Sequence, residues 1–110
     1  LGAGWAPEFL REPDLGYKSF GRTDPYLQSM PMKPSEYIRR AVKFTPFPGE
    51  DGGRMIRDGG ADLFMFSSDY PHPEATNDPK GRFERTIGEF DEEVRDRFYR
   101  RTFEEMMSIR

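Results

Sequence analysis

Large apolar side chains along this chain fall into three spacings, and each predicts a different element. Leu63-Phe64-Met65-Phe66 is a continuous apolar run, the pattern of a strand packed on both faces. Val42 and Phe44 alternate with Lys43 and Thr45, and Phe47 lies just beyond. That reads as a second strand over Ala41–Phe47, closed by Pro46 and Pro48 because proline donates nothing to a ladder. Phe83, Ile87 and Phe90 recur at i, i+4 and i+7, one apolar face of a helix. Val94, Phe98, Thr102 and Met106 form a second helical row, with Phe103, Met107 and Ile109 beside it. Arg95, Arg97, Arg100 and Arg101 fall on the other faces and read as a solvated surface.

Start and stop signals place the ends. Asp78-Pro79 combines an acidic cap with proline at the first helical position. Asp91 caps the next helix, and Glu92 and Glu93 complement the positive end of its dipole. Pro34-Ser35-Glu36 opens a short helix with Ser35 as cap and Tyr37 and Ile38 turned inward. Glu50 to Asp58 reads as a helix weakened by Gly52 and Gly53, burying Met55 and Ile56 and stopped by Gly59-Gly60. Glu8 to Arg11 reads as one helical turn between Pro7 and Pro13, and Asp14 to Pro34 has no clear period. Residues 1–33 are therefore expected to be loop-rich, and 34–110 to carry the order strand, helix, strand, helix, helix. Alternating strands and helices imply a parallel sheet of α/β type. Two strands leave open edges, so neighbours are expected from elsewhere.

Composition sharpens that expectation. Only 35% of the 110 residues are apolar against 34% charged, while a chain of this length must bury roughly two-thirds of its unfolded surface to stand alone. An independent, well-filled core is not expected. The net charge of −3, with signs interspersed, points to no nucleic-acid partner. No apolar segment has the length of a membrane span, and no signal-peptide pattern opens the chain. The absence of cysteine removes disulfides and thiolate chemistry and suits a cytoplasmic location. The opening Leu1-Gly2-Ala3-Gly4-Trp5, without Met, reads as a continuation of something upstream.

Candidate chemistry gathers after the apolar run. Asp69 ends it, and the carboxyl end of a parallel strand is where α/β folds place ligands and catalysis. Asp69 equally suits a plain turn cap before Tyr70-Pro71. His72 is the sole histidine, with metal ligation, proton transfer and an ordinary loop hydrogen bond all open to it. Glu74, Asn77 and Asp78 add oxygens nearby, without the spacing of a calcium loop. No nucleophile elbow, phosphate-binding glycine loop or cysteine pair is present. Trp5, Tyr17 and Phe20 could line a substrate wall or pack into a core.

Phe64-Met65-Phe66-Ser67-Ser68-Asp69-Tyr70-Pro71-His72-Pro73-Glu74, followed by Asp78-Pro79, resembles the last strand and loop of the amidohydrolase-related family. That branch of metal-dependent hydrolases includes aminocarboxymuconate-semialdehyde decarboxylase. Gly2-Ala3-Gly4-Trp5-Ala6-Pro7, Pro34-Ser35-Glu36-Tyr37 and Phe44-Thr45-Pro46 match late segments of the family in the same order. The resemblance implies the C-terminal part of a (β/α)8 TIM barrel, its last two strands and flanking helices, incomplete as a barrel of about 250 residues. It implies that Asp69 is the catalytic carboxylate, binding the metal or handling the proton of a metal-bound water, the family's histidine ligands being absent from this chain. His72, Glu74 and Trp5 become substrate-pocket candidates. A divalent metal, zinc or manganese, is implied for the parent enzyme, with none expected to bind tightly to this chain alone. The implied activity is hydrolysis of an amide or lactone-like bond, or non-oxidative decarboxylation, of a small-molecule substrate. The chain by itself is expected to be inactive and to self-associate or to associate with a missing N-terminal portion. The alternative is a small non-catalytic binding or assembly module derived from such a barrel. Arg101-Thr102-Phe103 and Ala75-Thr76 depart from the family, which has asparagine and glycine at these places.

Overall fold

Pro7 opens a helix that Pro13 does not close. In the computed structural model, which describes residues 2–108, helix α1 runs Ala6–Phe20 with Pro13 inside it. Leu1 and Ile109, both included in the sequence reading, lie outside the described residues. Proline at position 13 removes the hydrogen bond to the Phe9 carbonyl. Ala6 and Leu10 are nevertheless buried, and α1 packs against helices α3 (Pro34–Ala41) and α4 (Gly52–Gly59). Tertiary burial of one face outweighs a single lost bond. Between α1 and α3 lies α2 (Pro25–Ser29), capped by Asp24, whose Oδ1 accepts the amides of Tyr26 and Leu27. The loop-rich expectation for residues 1–33 is corrected accordingly: most of that span is helical.

The cap of α3 also differs from the one expected. Ser35 is buried, and its amide donates to Asp14 Oδ1 of α1 at 2.8 Å. Glu36 Oε2 accepts from the Lys33 amide at 2.9 Å. Ile38 turns onto the core while Tyr37 stays partly exposed. In α4, Gly52 and Gly53 are buried in the first turn, where α5 (Pro79–Ile87) packs against it. A Cβ on Gly52 would stand 2.9 Å from Ile87 Cδ1, and one on Gly53 would collide with the Thr86 carbonyl. These glycines are contact points between helices. Met55 and Ile56 are buried as expected, and Gly60, at φ +98°, ends the helix in a conformation that L side chains rarely adopt.

The two expected strands do not form, and the reading of the chain as the strand-bearing end of a TIM barrel is overturned. Among the described residues the fold is helical and contains no sheet. The segments meet at one parallel bridge, Phe44 with Phe64. The Phe44 amide donates to the Leu63 carbonyl and the Met65 amide to the Phe44 carbonyl, each at 2.9 Å. Every continuation of a ladder is diverted. Ala41 belongs to α3, Pro46 and Pro48 lack donors, and the Phe66 amide goes to the Phe98 carbonyl. The apolar run did mark burial, since Leu63 and Phe64 are almost fully enclosed. Such a run does not by itself distinguish a strand from a buried extended segment.

The C-terminal half follows its capping signals closely. Asp78 Oδ1 accepts the Gly81 amide at 3.1 Å and starts α5, which buries Phe83 and Ile87. Asp91 Oδ1 accepts the Val94 amide at 3.0 Å and starts α6 (Glu92–Asp96). A π-helical turn, Arg97–Arg101, joins α6 to α7 (Thr102–Met106). Phe98 and Thr102 are buried, but Met106 is exposed. One surplus residue rotates everything after it by about 100°, which takes the end of the predicted apolar row off the core. Arg100 and Arg101 lie at the surface, where Arg100 pairs with Asp96 and Glu104, whereas Arg95 and Arg97 are partly enclosed and pair with Glu84 and Glu105.

Candidate functional site

Asp69 stands where the segment from Leu63 leaves the core. Ser67 Oγ accepts the Asp69 amide at 3.2 Å, and Ser68 Oγ accepts the Tyr70 amide at 3.3 Å. Hydroxyls used this way make local turns in place of a ladder. They accompany a left-handed backbone at Asp69, φ +58°, which aspartate tolerates better than most residues. The His72 amide then returns to the Asp69 carbonyl at 2.9 Å, and the Ala75 amide to the His72 carbonyl at 3.0 Å. These two turns gather Asp69, His72 and Glu74, with one ligand atom from each lying within 4.8 Å of the others.

The three side chains sit in unequal surroundings. Asp69 is mostly enclosed, its side chain 17% exposed, whereas His72 and Glu74 face solvent. Asp69 Oδ2 is buried without any hydrogen-bond partner. Its Oδ1 lies 3.7 Å from His72 Nδ1, beyond hydrogen-bond reach. A buried carboxylate oxygen left unpaired is costly, and a donor or a cation would relieve it. One imidazole and two carboxylates are a donor set suited to zinc or manganese. The residues present therefore fit a divalent ion.

The remaining sequence candidates are placed elsewhere. Trp5 packs edge-on against Phe9 and Phe44, and its indole N–H donates to the Gly2 carbonyl at 2.7 Å. It belongs to the aromatic group at the bridge, and is not one of the three clustered ligands. Asp78 is committed to capping α5. Sequence reasoning passed over Ser67 and Ser68, although paired hydroxyls before an aspartate are a turn signal. It also missed Phe66, Glu84, Arg95 and Tyr99, which together with Lys80 line a cavity of about 420 Å³. Arg95 Nη2 donates to Glu84 Oε1 at 2.8 Å, and that bond holds the Glu84 carboxyl below the ordinary carboxylate range. Burial pushes the Tyr99 phenol above its ordinary value.

Neither a protein-family model nor a curated protein matches the chain. Among solved structures, it is similar to an amidohydrolase from Mycobacterium avium subsp. paratuberculosis K-10, with a TM-score of 0.68 and 25% identity. The match covers 91% of this chain and 25% of that one, so the chain spans a quarter of that amidohydrolase's length. The likeness supports an amidohydrolase-related chain, and it does not single out the decarboxylase-like branch. No helix among the described residues is long and apolar enough to cross a membrane.

Proposed function

We propose that this chain contributes the Asp69 segment of a metal-dependent enzyme of amidohydrolase type. The enzyme would cleave an amide or lactone-like bond of a small molecule, or remove a carboxylate without a redox cofactor. The observation that carries the reading is the buried, unpartnered Oδ2 of Asp69 beside His72 and Glu74, in a chain similar to an amidohydrolase over 91% of its length. Asp69 would hold a divalent ion, zinc or manganese, with His72 and Glu74 as the further donors this chain offers. Such an ion polarises a carbonyl or lowers the pKa of a bound water. Asp69 also offers a carboxylate oxygen that can accept a proton from the attacking group. Ser67 and Ser68 hold the backbone that aims it, and the exposure of His72 and Glu74 leaves an ion held there open to substrate from solvent.

The chain alone is proposed to be inactive and to require further protein. Exposed Phe20 and Tyr26 offer apolar surface for that association. The test is Asp69→Asn in the full-length protein that carries this segment. Turnover should fall at least about 100-fold with little change in folding, in line with the loss of a positioned proton acceptor. Undiminished turnover would remove Asp69 from the chemistry.

A further inference from the structure

The C-terminal helix holds one residue more than an α-helix accommodates, and the surplus has a use. In α-helical register the Phe98 carbonyl would accept the Thr102 amide. Here the Thr102 amide donates five residues back, to the Arg97 carbonyl. The Phe98 carbonyl is thereby free to accept the Phe66 amide at 2.9 Å. Single π-turns of this kind are rare and concentrate at functional sites.

Two further observations converge on the same bond. A helical threonine hydroxyl ordinarily bonds the carbonyl three or four residues back. For Thr102 the latter is Phe98, whose oxygen is occupied, and Thr102 Oγ1 is buried without a partner. The Phe66 ring, meanwhile, is surrounded by Phe83, Phe98 and Tyr99 at centroid distances of 5.8, 6.4 and 5.6 Å. Beyond Phe66, the hydrogen bonds described through His72 are local turns made by Ser67, Ser68 and Asp69. The Phe66–Phe98 bond is therefore the last backbone tie between the core and Asp69 among the described residues.

We infer that the π-turn positions Asp69: by releasing the Phe98 carbonyl it anchors Phe66 and so sets the direction in which the Asp69 segment leaves the core. What Asp69 then does rests on the proposed function, whereas the tie itself does not. Deleting the exposed Arg100 returns the helix to α-helical register, and Arg100→Ala controls for the lost charge. In the 110-residue chain, the deletion should keep helical circular dichroism while the Phe66 amide loses at least about tenfold of its hydrogen-exchange protection. The resonances of Asp69 and His72 should move, and those of Ala6 and Leu10 in α1 should not. Arg100→Ala should leave all of them in place. Retained Phe66 protection in the deletion variant would overturn the inference, as would unmoved Asp69 and His72 resonances once that protection is lost.

If the deletion variant does not fold, native-state exchange of the unaltered chain decides. Phe66 and Thr102 amides opening together, with one denaturant dependence, support the tie, and a Phe66 amide exchanging at the rate of an exposed loop overturns it. Mn²⁺ titration read by broadening at His72 tests the metal reading separately. Where His72 does broaden, the deletion should weaken Mn²⁺ binding about tenfold, as loss of an orienting partner does. Absence of broadening, with the exchange result intact, removes the metal and leaves the positioning.

Discussion

The packing of α4 on α5 and the turn from Ser67 to Glu74 use similar backbone devices to opposite ends. Between the helices, buried Gly52 and Gly53 allow close approach, and Met55, Ile56, Phe83 and Ile87 are buried around them. The ends are satisfied: Asp51 Oδ1 accepts the Arg54 amide at 2.9 Å, and the Gly53 amide donates to Thr86 Oγ1 at 3.2 Å. In the turn, a non-glycine residue occupies the left-handed region, a buried carboxylate oxygen goes unpaired, and Tyr70, His72 and Glu74 are left in solvent. Strain and unmet polarity persist only where surrounding structure over-determines them. The helical packing supplies that support, and the turn is where the left-handed backbone and the unpaired oxygen collect.

The harshest way to break this contrast is to hollow out the supporting side. Phe83→Ala removes a fully buried ring and should cost about 4 kcal/mol, read from urea unfolding. A cost below about 1 kcal/mol would mean that the stability lies elsewhere. Asp69→Gly probes the other region, with a smaller effect of opposite sign. Glycine accepts φ +58° freely and removes the unpaired oxygen, so the chain should gain about 1 kcal/mol in the same assay while losing any cation binding at the turn. A loss of stability would show that the carboxylate is paired in solution.

The smallest effect concerns Glu84, held below its ordinary pKa by the Arg95 hydrogen bond. The unfolded chain, with the ordinary value of about 4.3, takes up its proton first as the solution is acidified. The Glu84 contribution to stability is thus complete above that value and is lost as pH falls through the lower folded one. Glu84→Gln should flatten the decline in melting temperature below about pH 5. An unchanged profile would show that the Arg95 pairing does not persist in solution.

Signals confined to a few neighbouring residues were readable in advance. Asp78-Pro79, Asp91 and Gly59-Gly60 mark real helix ends because a cap is completed within one turn of chain. The grouping of Asp69, His72 and Glu74 is legible for the same reason, since they follow one another within six residues. For Trp5 the pattern left a substrate wall and core packing both open, because an aromatic side chain gives no hint of which distant ring it will meet; in the fold it meets Phe9 and Phe44.

What the amino-acid order by itself determined about this protein is its set of local devices: where helices start, where they stop, and which turn carries the carboxylate. The tertiary structure alone decided the rest. It ran α1 through Pro13, lent Asp14 to the start of α3, and turned Gly52 and Gly53 into contacts. It also gave the Phe66 amide to Phe98 in place of a neighbouring strand. The physical reason is common to all four. Each is a choice of partner made across more than ten residues of chain, where burial and the supply of free carbonyls outweigh any preference of the residue itself.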